Sequence, residues 1–133
     1  MKRVEEFHDK SKLAVNEKYT ADLFNFRVKL IGEEFKELFQ EAFNVQSAES
    51  DEEKKIALEN YLKELCDVLY VVYGQAISFG WDLEEAFNRV HESNMSKAPF
   101  TKDSVGKIVK GDNYKPPTME GLIDDISSSR DYN

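Results

Sequence analysis

A chain of 133 residues with 41% apolar residues is long enough for one buried core and too apolar for wholesale disorder. Its formal net charge of −8 argues against nonspecific binding to a nucleic-acid polymer or an anionic membrane, and no apolar run approaches the ~20 residues needed to cross a bilayer. The start, Met1-Lys2-Arg3-Val4-Glu5-Glu6, turns acidic at once, unlike a signal peptide, and the single cysteine, Cys66, suits a reducing cytoplasm and offers neither an internal disulfide nor a thiolate cluster.

Four helices are expected in chain order. The first runs from Lys2 to about Asn16, with Val4, Phe7, Ser11 and Ala14 or Val15 on one side. The second runs from about Ala21 to Val45, capped by Thr20 or Asp22, with Leu23, Phe26, Leu30, Ile31, Phe35, Leu38, Ala42 and Phe43 at helical spacing. A polar break from Gln46 to Ser50 follows, and Ser50-x-x-Glu53 is a capping box for the third helix. That helix carries Ile56, Leu58, Tyr61, Leu62, Leu65, Leu69, Val72, Tyr73, Ala76 and Ile77, and Gly80 is a natural stop. Asp82-x-x-Glu85 opens the fourth helix, which reaches about Asn94 with Leu83, Ala86, Phe87 and Val90 inward. Beyond Pro99, Gly106, Gly111, Pro116 and Pro117 punctuate a basic arm. It has room for a short hairpin around Val105–Val109 and a last short helix from Met119 to Ile126. Ser127 to Asn133 reads as a loose tail. The expected fold is all-α: a single domain over residues 1–126 with a four-helix core built on an antiparallel helical hairpin.

Charge concentrates where chemistry is easiest to place. Glu34 and Glu37 are three residues apart on the second helix, as are Glu64 and Asp67 on the third, so each pair shares a helix face. In an antiparallel hairpin, Glu34 opposite Asp67 and Glu37 opposite Glu64 share one centre of pairing, between residues 50 and 51. That is where the capping box starts the third helix. Four level carboxylates repel unless some are protonated or a cation lies between them. An oxygen-only donor set selects a hard ion, Mg²⁺ with Mn²⁺ able to substitute. A di-iron centre is disfavoured. Such centres use two Glu-x-x-His pairs, and the two histidines supply only Glu5-x-x-His8, because His91 has Asn88 three residues before it. The bland alternative is that these acids are solvated helix residues.

With these residues in view, the chain resembles the all-α nucleoside triphosphate pyrophosphohydrolases, in their MazG-like, phosphoribosyl-ATP-pyrophosphohydrolase-like branch. The likeness spans about residues 4 to 123. It rests on Glu33-Glu34-x-x-Glu37 followed by Glu64-x-x-Asp67, on Val4-Glu5-Glu6-Phe7-His8, and on Asp67-Val68-Leu69-Tyr70-Val71-Val72-Tyr73-Gly74. It rests further on Ser93-Asn94-Met95-Ser96-Lys97 and on Lys110-Gly111-Asp112-Asn113-Tyr114-Lys115-Pro116-Pro117. One departure is Gly32, where a larger residue is usual.

The resemblance implies cleavage between the α and β phosphates of a nucleoside triphosphate, giving a monophosphate and pyrophosphate. Glu34, Glu37, Glu64 and Asp67 would hold Mg²⁺, and Glu33 would orient or deprotonate the attacking water or help hold a further ion, unless it is only a solvated neighbour. Lys97, Lys107 and Lys110 would meet the phosphate tail. Asn94, His8 and Tyr114 would contact base or sugar, or serve as a helix cap, a packing residue and an arm anchor. The resemblance also implies a homodimer or homotetramer. Two alternatives stand beside it: hydrolysis of phosphoribosyl-ATP in histidine synthesis, and a noncatalytic nucleotide- or metal-binding helical module.

Overall fold

The computed structural model describes residues 1–126, so the tail expected over Ser127 to Asn133 lies outside the described residues. Four α-helices form: α1 (Lys2–Ser11), α2 (Ala21–Ser47), α3 (Asp51–Phe79) and α4 (Leu83–Met95). No β-strand forms among the described residues; the arm contributes one isolated antiparallel bridge between Lys102 and Ile108. The chain divides into two compact units, Met1–Gly80 and the residues from Trp81 onward.

Capping chemistry sets the helix starts in both units. Thr20 Oγ1 accepts from the Leu23 amide at 3.2 Å, Ser50 Oγ from Glu53 at 3.1 Å and Asp82 Oδ1 from Glu85 at 3.0 Å. Each satisfies one amide that the helix itself leaves without a partner. Glu53 reaches back to the Glu49 amide, at 3.1 Å, one residue before the cap.

In the first unit α2 and α3 are joined by Ala48–Ser50 and make the principal helix contact; α1 packs on α3. The expected end of α1 at Asn16 is five residues late. Lys12 takes a left-handed conformation (φ 59°) and closes the helix. The freed segment has another use. The Asn16 amide donates to the Ile77 carbonyl at 3.0 Å, and Glu17 to Ser78 at 2.8 Å, so the loop covers carbonyls exposed at the end of α3. Gly80 stops α3 at φ 67°, where a Cβ would lie 2.6 Å from Asn16 Oδ1.

The inner stripe of α2 differs from the one its apolar residues suggest. Arg27 and Leu38 are buried, whereas Phe26, Phe35 and Phe43 are exposed. In α3 the buried positions are Ala57, Glu64, Gly74 and Ala76 to Phe79, while Leu58, Leu62, Leu65 and Leu69 face out. Leu38, Ile77 and Phe79 are the large apolar side chains that these two helices bury. Arg27, at 4% exposure, lies over Gly74. A Cβ on Gly74 would collide with Arg27 Nη2 and come within 3.0 Å of His8 Nε2.

In the second unit, polar side chains fasten the arm to α4 through its backbone. Ser93 Oγ donates to the Lys115 carbonyl at 2.7 Å, and Ser96 Oγ accepts from the Lys115 amide at 2.8 Å. Arg89 donates to the carbonyls of Thr118 and Glu120 at 3.1 and 2.9 Å. Where a hairpin is expected around Val105–Val109, a turn at Gly106 (φ 86°) is closed by the single Lys102–Ile108 bridge, with Asp103 Oδ1 accepting from the amides of Val105 and Lys107. The expected helix from Met119 to Ile126 is replaced by turns, because Gly121 adopts φ 81°, outside the right-handed helical region. Phe87 and Val90, expected inward on α4, are exposed.

Candidate metal and active site

Glu34, Glu37 and Glu64 each offer a carboxylate oxygen, and the three oxygens lie within 4.8 Å of one another. The i, i+3 spacing on α2 brings the first two together, and the short Ala48–Ser50 connection brings α3 beside them. Glu64 is buried, Glu34 half-buried and Glu37 exposed. One oxygen of Glu34 and one of Glu64, both Oε2, are buried with no hydrogen-bond partner. Buried acceptors left unpaired are costly, and these belong to two of the three converging carboxylates. A cation or a proton resolves that arrangement.

The protonation of Glu34 reflects it. Burial pushes its carboxyl above the ordinary range. The Glu37 charge pushes it further, as does the hydrogen bond a protonated Glu34 shares with Glu37, followed by the charges of Asp67 and Glu64. A carboxyl raised in this way holds its proton more tightly in the folded chain than in the unfolded one. Its contribution to stability is therefore full below the ordinary carboxylate value and is lost as pH rises through the raised one. In EDTA, the thermal midpoint should rise by a few degrees as pH falls from neutral toward that ordinary value, and Glu34→Gln should flatten the slope. Parallel wild-type and Glu34→Gln profiles would show that the strain lies elsewhere.

Asp67 stands outside the group of three. Its Oδ2 pairs with Lys63 Nζ at 2.8 Å, and the same ammonium lies 3.3 Å from Glu64 Oε1. These two acids hold the Lys63 ammonium well above its usual range, the Asp67 contact first. Asp67 is still near enough for its charge to act on Glu34. Glu33 is exposed, about 100° around the helix from Glu34, and pairs with no other described residue. His8 is enclosed at 2% exposure, with Nδ1 donating to the Ala14 carbonyl at 3.0 Å; contact with a substrate would require α1 to move.

Two residues of this unit escaped the sequence reading. Lys63 was hidden because an exposed lysine beside acids looks like an ordinary solvated charge. Arg27 carries a clearer signal, a cation two turns before Glu34 on the side of α2 that packs. Its Nη2 donates to the Val71 carbonyl at 3.4 Å, its Nε is buried and unpaired, and burial lowers its pKa.

Asn94, Lys97, Lys107, Lys110 and Tyr114 belong to the second unit. The Tyr114 ring lies beneath two ammonium groups, Lys110 Nζ at 4.9 Å and Lys97 Nζ at 5.9 Å from its centre. Gly111 allows close approach there, since a Cβ would lie 3.2 Å from the Lys97 carbonyl. A recess of about 600 Å³ opens beside this cluster, lined by residues that include Met95, Ala98, Asn113 and Tyr114. Asn94 and Lys107 are exposed. Asn94 uses its carbonyl to accept from the Lys97 amide at 3.2 Å, as a residue of the last helical turn does.

The family model described as phosphoribosyl-ATP pyrophosphohydrolase matches residues 1–94. The match takes in all four candidate metal ligands, Glu33, His8 and Asn94, and ends before Lys97, Lys107, Lys110 and Tyr114. No curated protein matches the chain.

Proposed function

Because the chain belongs to the phosphoribosyl-ATP pyrophosphohydrolase family, within the MazG-like all-α pyrophosphohydrolase superfamily, it is a pyrophosphohydrolase of nucleotide-like substrates, and we propose that it hydrolyses a nucleoside or deoxynucleoside triphosphate with Mg²⁺. The observation that carries this reading is the convergence of Glu34, Glu37 and Glu64, with two buried oxygens that no other group satisfies. All-carboxylate donors fit a hard divalent ion, Mg²⁺ first and Mn²⁺ as substitute. Glu34, Glu37, Glu64 and Asp67 would hold it. When bound, such an ion supplies charge neutralisation and a clamp for phosphate oxygens.

The other roles fall to the chain's own side chains. Glu33, exposed beside the cluster, would orient the attacking water or take its proton. The water's oxygen bonds to the α phosphorus, the bond to the bridging oxygen breaks, and pyrophosphate leaves. Lys97 and Lys110, held together by Tyr114, would bind the phosphate tail, joined by Lys107. Asn94, Tyr114 and His8 are the proposed contacts to base or sugar.

We further propose a homodimer, alone or paired into a homotetramer. Phe35, Phe39 and Phe43 repeat one turn apart on α2, and Leu58, Leu62, Leu65 and Leu69 follow helical spacing on α3, all exposed. An apolar face of that kind marks an interface.

The family's description favours a second reading, phosphoribosyl-ATP as substrate. A panel of canonical and damaged triphosphates plus phosphoribosyl-ATP, assayed with Mg²⁺ and with Mn²⁺ for pyrophosphate against orthophosphate, separates the two. Pyrophosphate from at least one triphosphate is expected. Turnover of phosphoribosyl-ATP alone would establish the second reading. Orthophosphate as the primary product would move the cleaved bond, and binding without turnover would leave a noncatalytic module.

A further inference from the structure

The chain carries its own cation at the carboxylate cluster. Lys63 immediately precedes Glu64 and lies one turn before Asp67, so a single ammonium reaches Asp67 Oδ2 at 2.8 Å and Glu64 Oε1 at 3.3 Å. Both acids are among the residues proposed above to hold the divalent ion. The two faces of Glu64 are used differently: Oε1 meets Lys63, while Oε2 is buried and unpaired. Asp67, drawn to Lys63, is the one of the four acids missing from the converging oxygens.

We infer that Lys63 competes with the divalent cation. Its ammonium neutralises Asp67 and Glu64 until a cation is held there, and it must swing away before Asp67 can join Glu34, Glu37 and Glu64. An ammonium and a divalent ion in contact with the same carboxylates repel each other. The Lys63 side chain is 68% exposed on a flexible stem, so it can withdraw to water at little cost. The consequence is a metal affinity set by exchange, weaker than four uncommitted carboxylates would give. This inference rests on the proposed metal site and concerns its tuning.

Calorimetric titration of the full chain with MgCl₂ tests it, using the wild type, Lys63→Met, Lys63→Gln and Lys63→Arg. Lys36→Met serves as the charge control, because Lys36 neighbours Glu37 on α2 and forms no ion pair with a described acid. Lys63→Met and Lys63→Gln should bind Mg²⁺ about two- to fivefold tighter, on the scale of an exposed ion pair. Their thermal midpoints in EDTA should fall. Lys63→Arg should stay near the wild type, and Lys36→Met should shift affinity by clearly less. Equal affinity in the wild type and both neutral variants overturns the inference alone, as does an equal gain in Lys36→Met. Absence of Mg²⁺ binding in every protein overturns the metal site and the inference with it.

Discussion

Glu64→Gln should lower kcat/KM for the preferred nucleotide by at least about 100-fold, close to 2.7 kcal/mol of transition-state stabilisation. Among the converging acids, Glu64 is the buried one, so no solvent-exposed neighbour can substitute for it at that point in the hairpin. The amide is isosteric but brings neither charge nor a second acceptor. The same exchange at Glu59, exposed on α3, should leave activity unchanged. Circular dichroism of Glu64→Gln should match the wild type, because removing one charge from a repelling cluster does not weaken the hairpin. Turnover within a few-fold of the wild type would remove Glu64 from the proposed site and, with it, the carboxylate reading as a whole.

The second large effect concerns assembly. The wild type should elute and scatter as at least twice its 15.4 kDa chain mass, and Phe39→Glu should return it to one chain. Phe39 is 67% exposed and stacks on Phe35 with ring centres 6.2 Å apart, so it sits at the middle of the α2 apolar row. A carboxylate at the centre of a dry interface must be desolvated without a partner, which costs several kcal/mol and outweighs the gain of a modest interface. Phe87→Glu, on α4, serves as a comparison for a phenylalanine of similar exposure outside the two rows. A monomeric wild type would dispose of the dimer. Equal loss of mass in Phe87→Glu would move the interface to α4.

The sequence disclosed what local chemistry controls. Thr20, Ser50 and Asp82 begin their helices where a side-chain oxygen can meet an amide three residues on, and that rule needs no tertiary information. Gly80 ends α3 for an equally local reason. The pairing of Glu37 with Glu64 followed from helix spacing and one polar break. What periodicity could not resolve was which of two apolar faces packs. Phe35 and Leu38 are both apolar, yet one faces out and the other in. Arg27 shows the same limit from the other side: its burial depends on Gly74, which is distant in sequence and exposes no hint of a guanidinium above it. Helix spacing puts Asp67 on the same face as Glu64, but its carboxylate turns to Lys63, a choice made by side-chain rotamers that spacing cannot encode.

The attachment of the arm to α4 has a different kind of consequence. Ser93, Ser96 and Arg89 grip Lys115, Thr118 and Glu120 by amide and carbonyl groups that every amino acid, or nearly every one, possesses. The helix thus dictates the arm's path without dictating its vocabulary. Substitutions at Lys115 and Glu120 therefore leave this grip intact, whereas Ser93, Ser96 and Arg89 supply it through their side chains. A scaffold fixed on one side and permissive on the other lets the arm's own surface vary without rebuilding the helix that carries it.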